Sequence, residues 1–330
     1  MPELPEVQTT VNGLNKKVKG FKITQVWSSY NSSYYKSKEN IKNLAFFDEF
    51  KSRITGATIL KSERRGKNIL IHLNNDETIL IHMKMTGHLM FGEYVFSNNK
   101  MDEKDPWKPQ NPKNKALNDP FNRNIRFVLS LEKDGANVNA DAKNTNKTTK
   151  KVAGAEKHLV LSDTRKFAKI TVHKSNTASH SPDLSHLGPE PLDKSFDFNV
   201  FKKQIFKKPT GKIKTVLLDQ TIIAGIGNIY SDESLWLAGI HPERLVKNIK
   251  ENELKKLYQS VILVLKHGID FGGDSMSDYR NIDGEKGGFQ ERHNVYRKNK
   301  ERCGKRGCDG FIKRIVVGGR GTHLCDKHQV

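Results

Sequence analysis

The sequence lacks the hydrophobic segments of a membrane or secreted protein. In 330 residues no segment reaches the roughly 18 successive apolar residues that a membrane-spanning helix needs. The N-terminus also has no apolar stretch like that of a secretory signal peptide. From these two absences we expect a protein that stays inside the cell, in the cytoplasm.

Cysteine is also scarce, and its placement predicts a metal site. The 3 cysteines are too few and too close to one end for a disulfide framework. With one histidine they form the pattern Cys303-x4-Cys308-x16-Cys325-x2-His328. Three thiolates and one imidazole satisfy the tetrahedral coordination of Zn²⁺, so we expect one structural zinc in a β-hairpin finger. Reduced cysteines placed there by chance are the alternative.

Acidic residues are outnumbered throughout the chain. There are 37 Asp and Glu against 57 Lys and Arg, and the net charge of +20 is spread from end to end. A polyanion is the natural partner of such a surface, although solvation alone could also explain it. The length allows two or three domains, each with its own core.

The pattern of apolar residues changes along the chain from strand-like to helical. A first amphipathic helix carries Val7, Val11, Leu14 and Val18 and ends at Gly20. Short β-type runs follow and predict a β-sandwich or barrel, at residues 23–27, 57–60, 69–73, 78–83, 126–131 and 158–161. Helical segments are predicted at residues 200–206, 212–221, 228–238 and 253–267.

These changes divide the chain into an N-terminal domain (1–180), a linker (181–199), a helical domain (200–290) and a C-terminal finger (291–330). Two stretches interrupt the strand pattern, at about 97–119 and 133–157. Both are rich in Asn and Lys, and the second contains no aromatic residue. We expect both to be long, mobile, basic loops, the second one inside a hairpin.

The N-terminal hexapeptide Met1-Pro2-Glu3-Leu4-Pro5-Glu6 has the makings of a nucleophilic centre. If Met1 is removed, Pro2 presents a free secondary amine, and α-amines have pKa values of about 7.7–8.0. Attack on an aldehyde carbon would form an iminium ion directly, and the adjacent Glu3 could move the protons. Alternatively, the prolines only stiffen the start of the helix, with Glu6 favourable to its dipole.

A glycine-containing motif predicts contacts with phosphate. Gly225 and Gly227 join two predicted helices, and glycines let the backbone approach a ligand closely. The second helix begins near Asn228 and offers unpaired N–H groups, with Lys212 and Lys214 just upstream. An ordinary helical hairpin is the alternative. Two other fragments, taken alone, indicate only a charged strand end and a buried methionine. They are Arg64-Arg65-Gly66-Lys67 and His82-Met83-Lys84-Met85-Thr86-Gly87.

Taken in order, these motifs resemble the bacterial formamidopyrimidine-DNA glycosylase family, whose members remove oxidised purines such as 8-oxoguanine from DNA. The resemblance covers nearly the whole chain apart from the two interruptions. Its motifs are the N-terminal hexapeptide, Arg65-Gly66-Lys67, His82–Gly87, Asp163-Thr164-Arg165-Lys166-Phe167, His186-Leu187-Gly188-Pro189-Glu190-Pro191, Gly225–Tyr230, Gly239-Ile240-His241-Pro242 and the finger.

The resemblance implies a catalytic group and a DNA-binding group. Pro2 would attack C1′ of the damaged nucleotide, and Glu3 would donate and accept protons at the sugar, with Glu6 in support. The iminium would then permit successive β- and δ-elimination. The lesion's flanking phosphates and backbone would be bound by residues at matching positions: Lys67, Lys214, Asn228 and Arg320.

The resemblance also implies that the damaged base is turned out of the helix. Met85, Arg165 and Phe167 would fill the gap, with Arg165 pairing with the orphaned cytosine. The Gly272–Gln290 loop would close over the turned-out base. The partner would be duplex DNA containing an oxidised purine, bound by a monomer.

The implied fold is a multidomain α+β protein: an N-terminal β-sandwich with flanking helices, a helix-two-turn-helix domain and a C-terminal β-hairpin zinc finger. The finger departs from the family's usual two-residue spacing and four cysteines, but its Cys3His set still suits zinc. Two other functions remain open. One is a non-catalytic protein that binds damaged DNA; the other is a glycosylase of the endonuclease VIII type for oxidised pyrimidines, against which Leu4 argues.

Overall fold

The computed structural model describes residues 1–133 and 156–330. Its N-terminal part contains two four-stranded antiparallel sheets, ordered β1-β8-β9-β5 and β10-β4-β3-β2. A small hairpin pairs β6 with β7. The strands are β1 (Phe21–Ser28), β2 (Ile59–Arg65), β3 (Asn68–Leu73), β4 (Glu77–His82), β5 (His88–Gly92), β6 (Tyr94–Phe96), β7 (Trp107–Pro109), β8 (Ile125–Lys133), β9 (Lys157–Ser162) and β10 (Lys169–Lys174).

The two sheets form a sandwich because both bury one face in a common core. Ile71 and Ile79 of one sheet pack in the same cluster as Leu129 of the other. The outer face of β3 and β4 is also covered, since Leu70 and Leu80 pack against Leu184. Strands buried on both faces have continuous apolar sequences, which explains the unbroken runs at 69–73 and 78–83.

Helices flank the sandwich and build the second half of the molecule. The first two are α1 (Leu4–Lys17) and α2 (Leu44–Ile54); the others are α3 (Phe198–Ile205), α4 (Ile213–Leu218), α5 (Asn228–Ala238) and α6 (Glu251–Asp270). The last element is the hairpin of β11 (Ile312–Val317) and β12 (Arg320–Cys325). Among the described residues no helix is long and apolar enough to cross a membrane.

The predicted α+β architecture is confirmed, with additions. The predicted strands and helices are present, and α2, β5, β6, β7 and β10 were not predicted. The first interruption differs from the mobile loop that we expected, because Trp107 and Leu117 are buried in a small core with Met90 and Tyr94. Of the second interruption, residues 134–155 lie outside the described residues; its ends belong to the paired strands β8 and β9.

Candidate functional site

A cavity of about 480 Å³ lies where the N-terminus, the sandwich, the helical half and the finger meet. Residues from all four parts line it: Met1, Glu3, Lys67, Met85, Gly227, Asn228, Met276, Ser277 and Arg320 are among them. Five of the sequence-predicted side chains, those of Glu3, Lys67, Met85, Asn228 and Arg320, are therefore brought together, although they come from opposite ends of the chain. Pro2 is buried between two residues of the lining, Met1 and Glu3.

Glu3 is held at the start of α5. Its carboxylate accepts hydrogen bonds from the backbone N–H groups of Ile229, at 3.0 Å, and Tyr230, at 3.4 Å. Gly227 leaves the room for this arrangement, because a Cβ atom there would collide with the Glu3 carboxyl group. The N–H groups at the helix N-terminus thus bind a carboxyl group, but it is that of the protein's own Glu3.

The two glycines make room for the protein's own N-terminal segment. Gly225 has φ +93, and a Cβ there would come within 2.7 Å of the Leu4 side chain. Its carbonyl oxygen accepts a hydrogen bond from Leu4 N–H at 3.0 Å. We expected Gly225 and Gly227 to let DNA approach the backbone. In the structure they let the N-terminal segment approach, and this docks the N-terminus beside the cavity.

Glu3 and Lys67 face each other in a buried setting. Burial raises the pKa of the Glu3 carboxyl group, and the nearby Lys67 ammonium opposes that shift. Burial also lowers the pKa of Lys67, with Glu3 acting in the other direction. A raised pKa lets a carboxyl group keep its proton at higher pH, which favours the role of a general acid.

Glu6 connects the N-terminus to the Gly272–Gln290 loop. One carboxylate oxygen accepts from Glu3 N–H at 2.7 Å, and the other accepts from Tyr230 O–H at 2.6 Å and Asp274 N–H at 2.7 Å. Burial, with a contribution from Glu3, raises the pKa of Glu6 from its ordinary 4.5 to about 7. The sequence did not indicate the Tyr230 contact, although Tyr230 belongs to a recognised motif.

This pKa predicts that the contribution of Glu6 to stability falls as the pH rises. Below pH 4.5 Glu6 is protonated in both the folded and the unfolded state, and its full contribution to stability is present. Above it the unfolded state ionises first, and the contribution is lost as pH rises through about 7. Between about pH 5.5 and pH 8, the free energy of unfolding of the wild type should therefore fall by about 2 kcal/mol more than that of Glu6→Gln.

Urea unfolding gives the free energy of unfolding of each protein at the two pH values. The change between the two pH values is then compared for wild type and variant. Glu243→Gln is the matched control, since that carboxylate lies in a surface ion pair with Lys212. The control should keep the wild-type pH dependence. An equal dependence in Glu6→Gln and wild type would contradict the buried, protonated Glu6.

Lys67 is fixed by the segment that was expected to be a linker. Gly66 has φ +58 and turns the chain between β2 and β3. Its N–H donates to the carboxylate of Glu190 at 2.5 Å, and Arg65 donates to the same carboxylate at 2.8 Å. Arg64 completes this buried cluster with a further ion pair to Glu190. The Glu190 cluster therefore anchors the turn that carries Lys67.

Lys214 is not at the cavity surface. Its side chain has no exposed area and forms an ion pair with Asp232 of α5. Asp232 also accepts from the backbone N–H of His323 in β12 at 2.9 Å. We expected Lys214 to bind a phosphate. In this structure it instead completes a buried bridge between the helical half and the finger, because leaving Asp232 unpaired in the interior would be costly.

Asn228 and Arg320 lie where the helical half meets the finger. The side-chain amide of Asn228 donates to the carbonyl oxygen of Gly321 at 2.9 Å. Arg320 is exposed at the start of β12, directly after the Gly318-Gly319 turn. Burial has the largest effect on the pKa of Lys67, and the nearby Arg320 guanidinium group also lowers it. Positive charge is therefore concentrated at this side of the cavity.

The predicted gap-filling side chains project from two neighbouring loops. Met85 is 38% exposed and Phe167 is 47% exposed, while the guanidinium group of Arg165 stacks 4.5 Å from the Phe167 ring centre. Thr86 joins the loops: it accepts from Arg165 N–H at 3.1 Å and donates to the buried Asp163 at 2.6 Å. The sequence did not show this anchoring role of Asp163.

The four predicted metal ligands converge in the finger. One ligand atom from each of Cys303, Cys308, Cys325 and His328 lies within 4.8 Å of the others. His328 Nε2 lies 2.9 Å from the carbonyl oxygen of Trp236, so a proton on Nε2 leaves Nδ1 to face the sulfurs. The Trp236 indole N–H also donates to Cys303 Sγ at 3.3 Å. Such outer contacts orient metal ligands, and this cluster could bind a metal ion.

Comparison with known proteins agrees with the geometry. The N-terminal domain model of formamidopyrimidine-DNA glycosylase matches residues 1–170, and the H2TH domain model of the same enzyme matches residues 187–280. The formamidopyrimidine-DNA glycosylase of Prochlorococcus marinus is 32% identical over 348 residues, covering 100% of both chains. That of Halalkalibacterium halodurans is 35% identical and covers 98% of both.

Solved structures agree as well. The complex between the Lactococcus lactis Fpg and DNA containing an abasic site aligns with a TM-score of 0.76 at 29% identity, over 99% of each chain. MutM in complex with DNA containing carbocyclic 8-oxo-G aligns with a TM-score of 0.74 at 28% identity, over 100% of each chain. The chain belongs to the formamidopyrimidine-DNA glycosylase family.

Proposed function

We propose that this protein removes oxidised purines from duplex DNA and then cleaves the strand, acting in base excision repair. One observation carries the proposal: Met1 and Glu3 line the same cavity as Lys67, and Pro2 lies between Met1 and Glu3 in the chain. Once Met1 is removed, the Pro2 nitrogen becomes a secondary amine at the edge of this cavity. The related structures hold DNA with an abasic site and with a formamidopyrimidine lesion.

The chemistry uses two groups of the N-terminal segment. The Pro2 nitrogen forms a bond to C1′ while the glycosidic C1′–N bond breaks, and the base leaves with the electron pair and takes up a proton. Glu3 protonates the ring oxygen O4′ as the sugar opens, which leaves an iminium ion between C1′ and Pro2. The iminium acidifies C2′; loss of a proton there expels the 3′ phosphate, and a second elimination expels the 5′ phosphate.

Three side chains at the cavity suit the DNA backbone around the lesion. Lys67, Arg320 and Asn228 offer donors from the sandwich, the finger and the helical half, so that phosphates would be bound from three directions. Met85, Arg165 and Phe167 enter the gap left by the turned-out nucleotide, with Arg165 facing the orphaned cytosine. Lys214 supports this surface through Asp232 without contacting DNA.

We also propose that the finger binds one Zn²⁺ ion. The donor set of three sulfurs and one imidazole nitrogen favours zinc, and closed four-ligand sites of this kind are structural. The ion would hold the β11–β12 hairpin and thereby Arg320. We propose further that the protein acts as a monomer in the bacterial cytoplasm, with the division at residues 180, 199 and 290 separating its four parts.

Borohydride trapping on two duplexes tests the function. One duplex carries 8-oxoguanine opposite cytosine and the other carries thymine glycol, and borohydride reduces an iminium to a stable protein–DNA bond. We expect a trapped adduct on the first duplex. A preference for the second would indicate an endonuclease VIII-type glycosylase, and binding without an adduct on either duplex would indicate a non-catalytic protein.

A further inference from the structure

The Gly272–Gln290 loop is anchored on both sides of a short free span. On the first side, Asp274 N–H donates to Glu6 at 2.7 Å. On the second, Ile282 is 3% exposed in the core of the sandwich and its carbonyl oxygen accepts from Phe91 N–H at 2.8 Å. Between these anchors, Met276 and Ser277 are exposed and line the catalytic cavity. The position of this span depends on its anchors.

Arg280 is the central group of the second anchor. It is 1% exposed, and its guanidinium group donates to the carbonyl oxygens of Ser277, at 3.1 Å, and Tyr279, at 2.8 Å. The same group reaches outside the loop to the carboxylate of Asp119 at 3.3 Å. A buried guanidinium group is tolerated only when its charge and its donors are satisfied. Arg280 therefore joins the free span to Asp119.

Asp119 belongs to the first interruption of the strand pattern, for which the sequence indicated no role. Its carboxylate also accepts from Phe121 N–H at 2.8 Å, and the Phe121 ring covers the Arg280 guanidinium group at 4.5 Å. These two donors hold the pKa of Asp119 below its ordinary value, against the opposing effect of partial burial. The acid is thus ionised and fixed in place.

Asn122 makes a second, independent contact with the loop. Its amide donates to the carbonyl oxygen of Gly284 at 3.0 Å and to that of Ala116 at 2.7 Å. Its own carbonyl oxygen faces His88 Nε2 at 2.9 Å. Gly284 has φ +81, and a Cβ there would lie 2.8 Å from the Asn122 amide nitrogen. The tip of the loop is therefore seated directly on residues 116–122.

We propose that residues 116–122 form a buttress that holds Met276–Asp278 over the catalytic cavity, which makes Arg280 and Asp119 positioning residues for recognition of the turned-out base. The inference rests on the proposed function. The buttress touches the loop and not the N-terminal nucleophile. It should therefore affect steps in which a base is present and spare strand cleavage at a sugar that has already lost its base.

The test compares two substrates with the Asp119→Asn variant. Asparagine keeps an oxygen for Phe121 N–H but removes the charge that pairs with Arg280. We expect kcat/KM for excision of 8-oxoguanine to fall on the order of tenfold, an effect of the size expected for a positioning residue. Cleavage at a preformed abasic site should be unchanged. Amide hydrogen exchange of residues 276–280 should become faster.

Asp102→Asn is the matched control, since this carboxylate lies in the same interruption and accepts from Ser97. It should change neither activity nor exchange. Arg280→Lys gives a second variant, which keeps the charge but loses the forked donors, and it should reproduce Asp119→Asn. Equal losses on both substrates, or no loss with unchanged exchange, would overturn the buttress. A wild-type protein inactive on both substrates would instead refute the proposed function.

Discussion

The Glu3→Gln variant is expected to excise 8-oxoguanine about a thousandfold more slowly than the wild type, in the middle of the range for loss of a general acid. Glutamine has the same shape and can still accept the hydrogen bond from Ile229 N–H, so the N-terminus should stay docked on α5. It cannot donate a carboxylic proton to O4′. A preformed abasic sugar opens without enzymic help, so its capture by Pro2 should decrease far less.

Single-turnover kinetics on the two substrates separates these effects. Glu243→Gln serves again as the control, because its surface carboxylate is not among the residues that line the cavity. It should retain wild-type rates on both duplexes. If Glu3→Gln slowed capture of the abasic sugar as much as excision, Glu3 would be needed to place Pro2 and not to move protons.

The second large effect is expected from Arg320→Ala. Loss of a charged hydrogen bond to phosphate should weaken DNA binding about tenfold or more, with any sequence. A plot of the logarithm of the DNA association constant against the logarithm of the salt concentration should become shallower, with a slope smaller in magnitude by about one. Fluorescence anisotropy over a series of salt concentrations measures both quantities.

Lys313→Ala is the matched control for Arg320. It removes one positive charge from the same hairpin, but Lys313 is exposed and pairs with Asp326 away from the cavity lining. The DNA affinity of Lys313→Ala and its dependence on salt should differ much less from those of the wild type. A strong chelator should mimic Arg320→Ala, since the proposed zinc ion would hold the hairpin that carries Arg320. Equal effects of the two substitutions would show that only net charge matters.

The sequence predicted elements best where apolar residues or glycines mark them clearly. The predicted bounds of α5 were correct because Gly227 and Gly239 flank it, the latter with φ +75. The helix α2 was missed although Phe46, Phe50 and Ile54 recur every four residues, which is a helical pattern. The strand β10 was missed although Ile170 and Val172 alternate with polar residues.

The site was predictable only in part, because spacing does not reveal tertiary partners. Motifs pointed to Glu3, Lys67 and Arg320, and the structure lines one cavity with them. The partner of Lys214, Asp232, was not predicted, and neither was the contact between Glu6 and Tyr230, 224 residues apart. The glycines were correctly expected to permit a close approach, but the approaching group is the protein's own N-terminus.

Mass spectrometry of the borohydride-trapped adduct tests the central claim most directly, since it identifies the atom that attacks the sugar. After digestion, we expect the sugar remnant on the N-terminal peptide, at the nitrogen of Pro2, in protein that has lost Met1. A remnant on a lysine such as Lys67, or an adduct formed by protein that retains Met1, would contradict the mechanism.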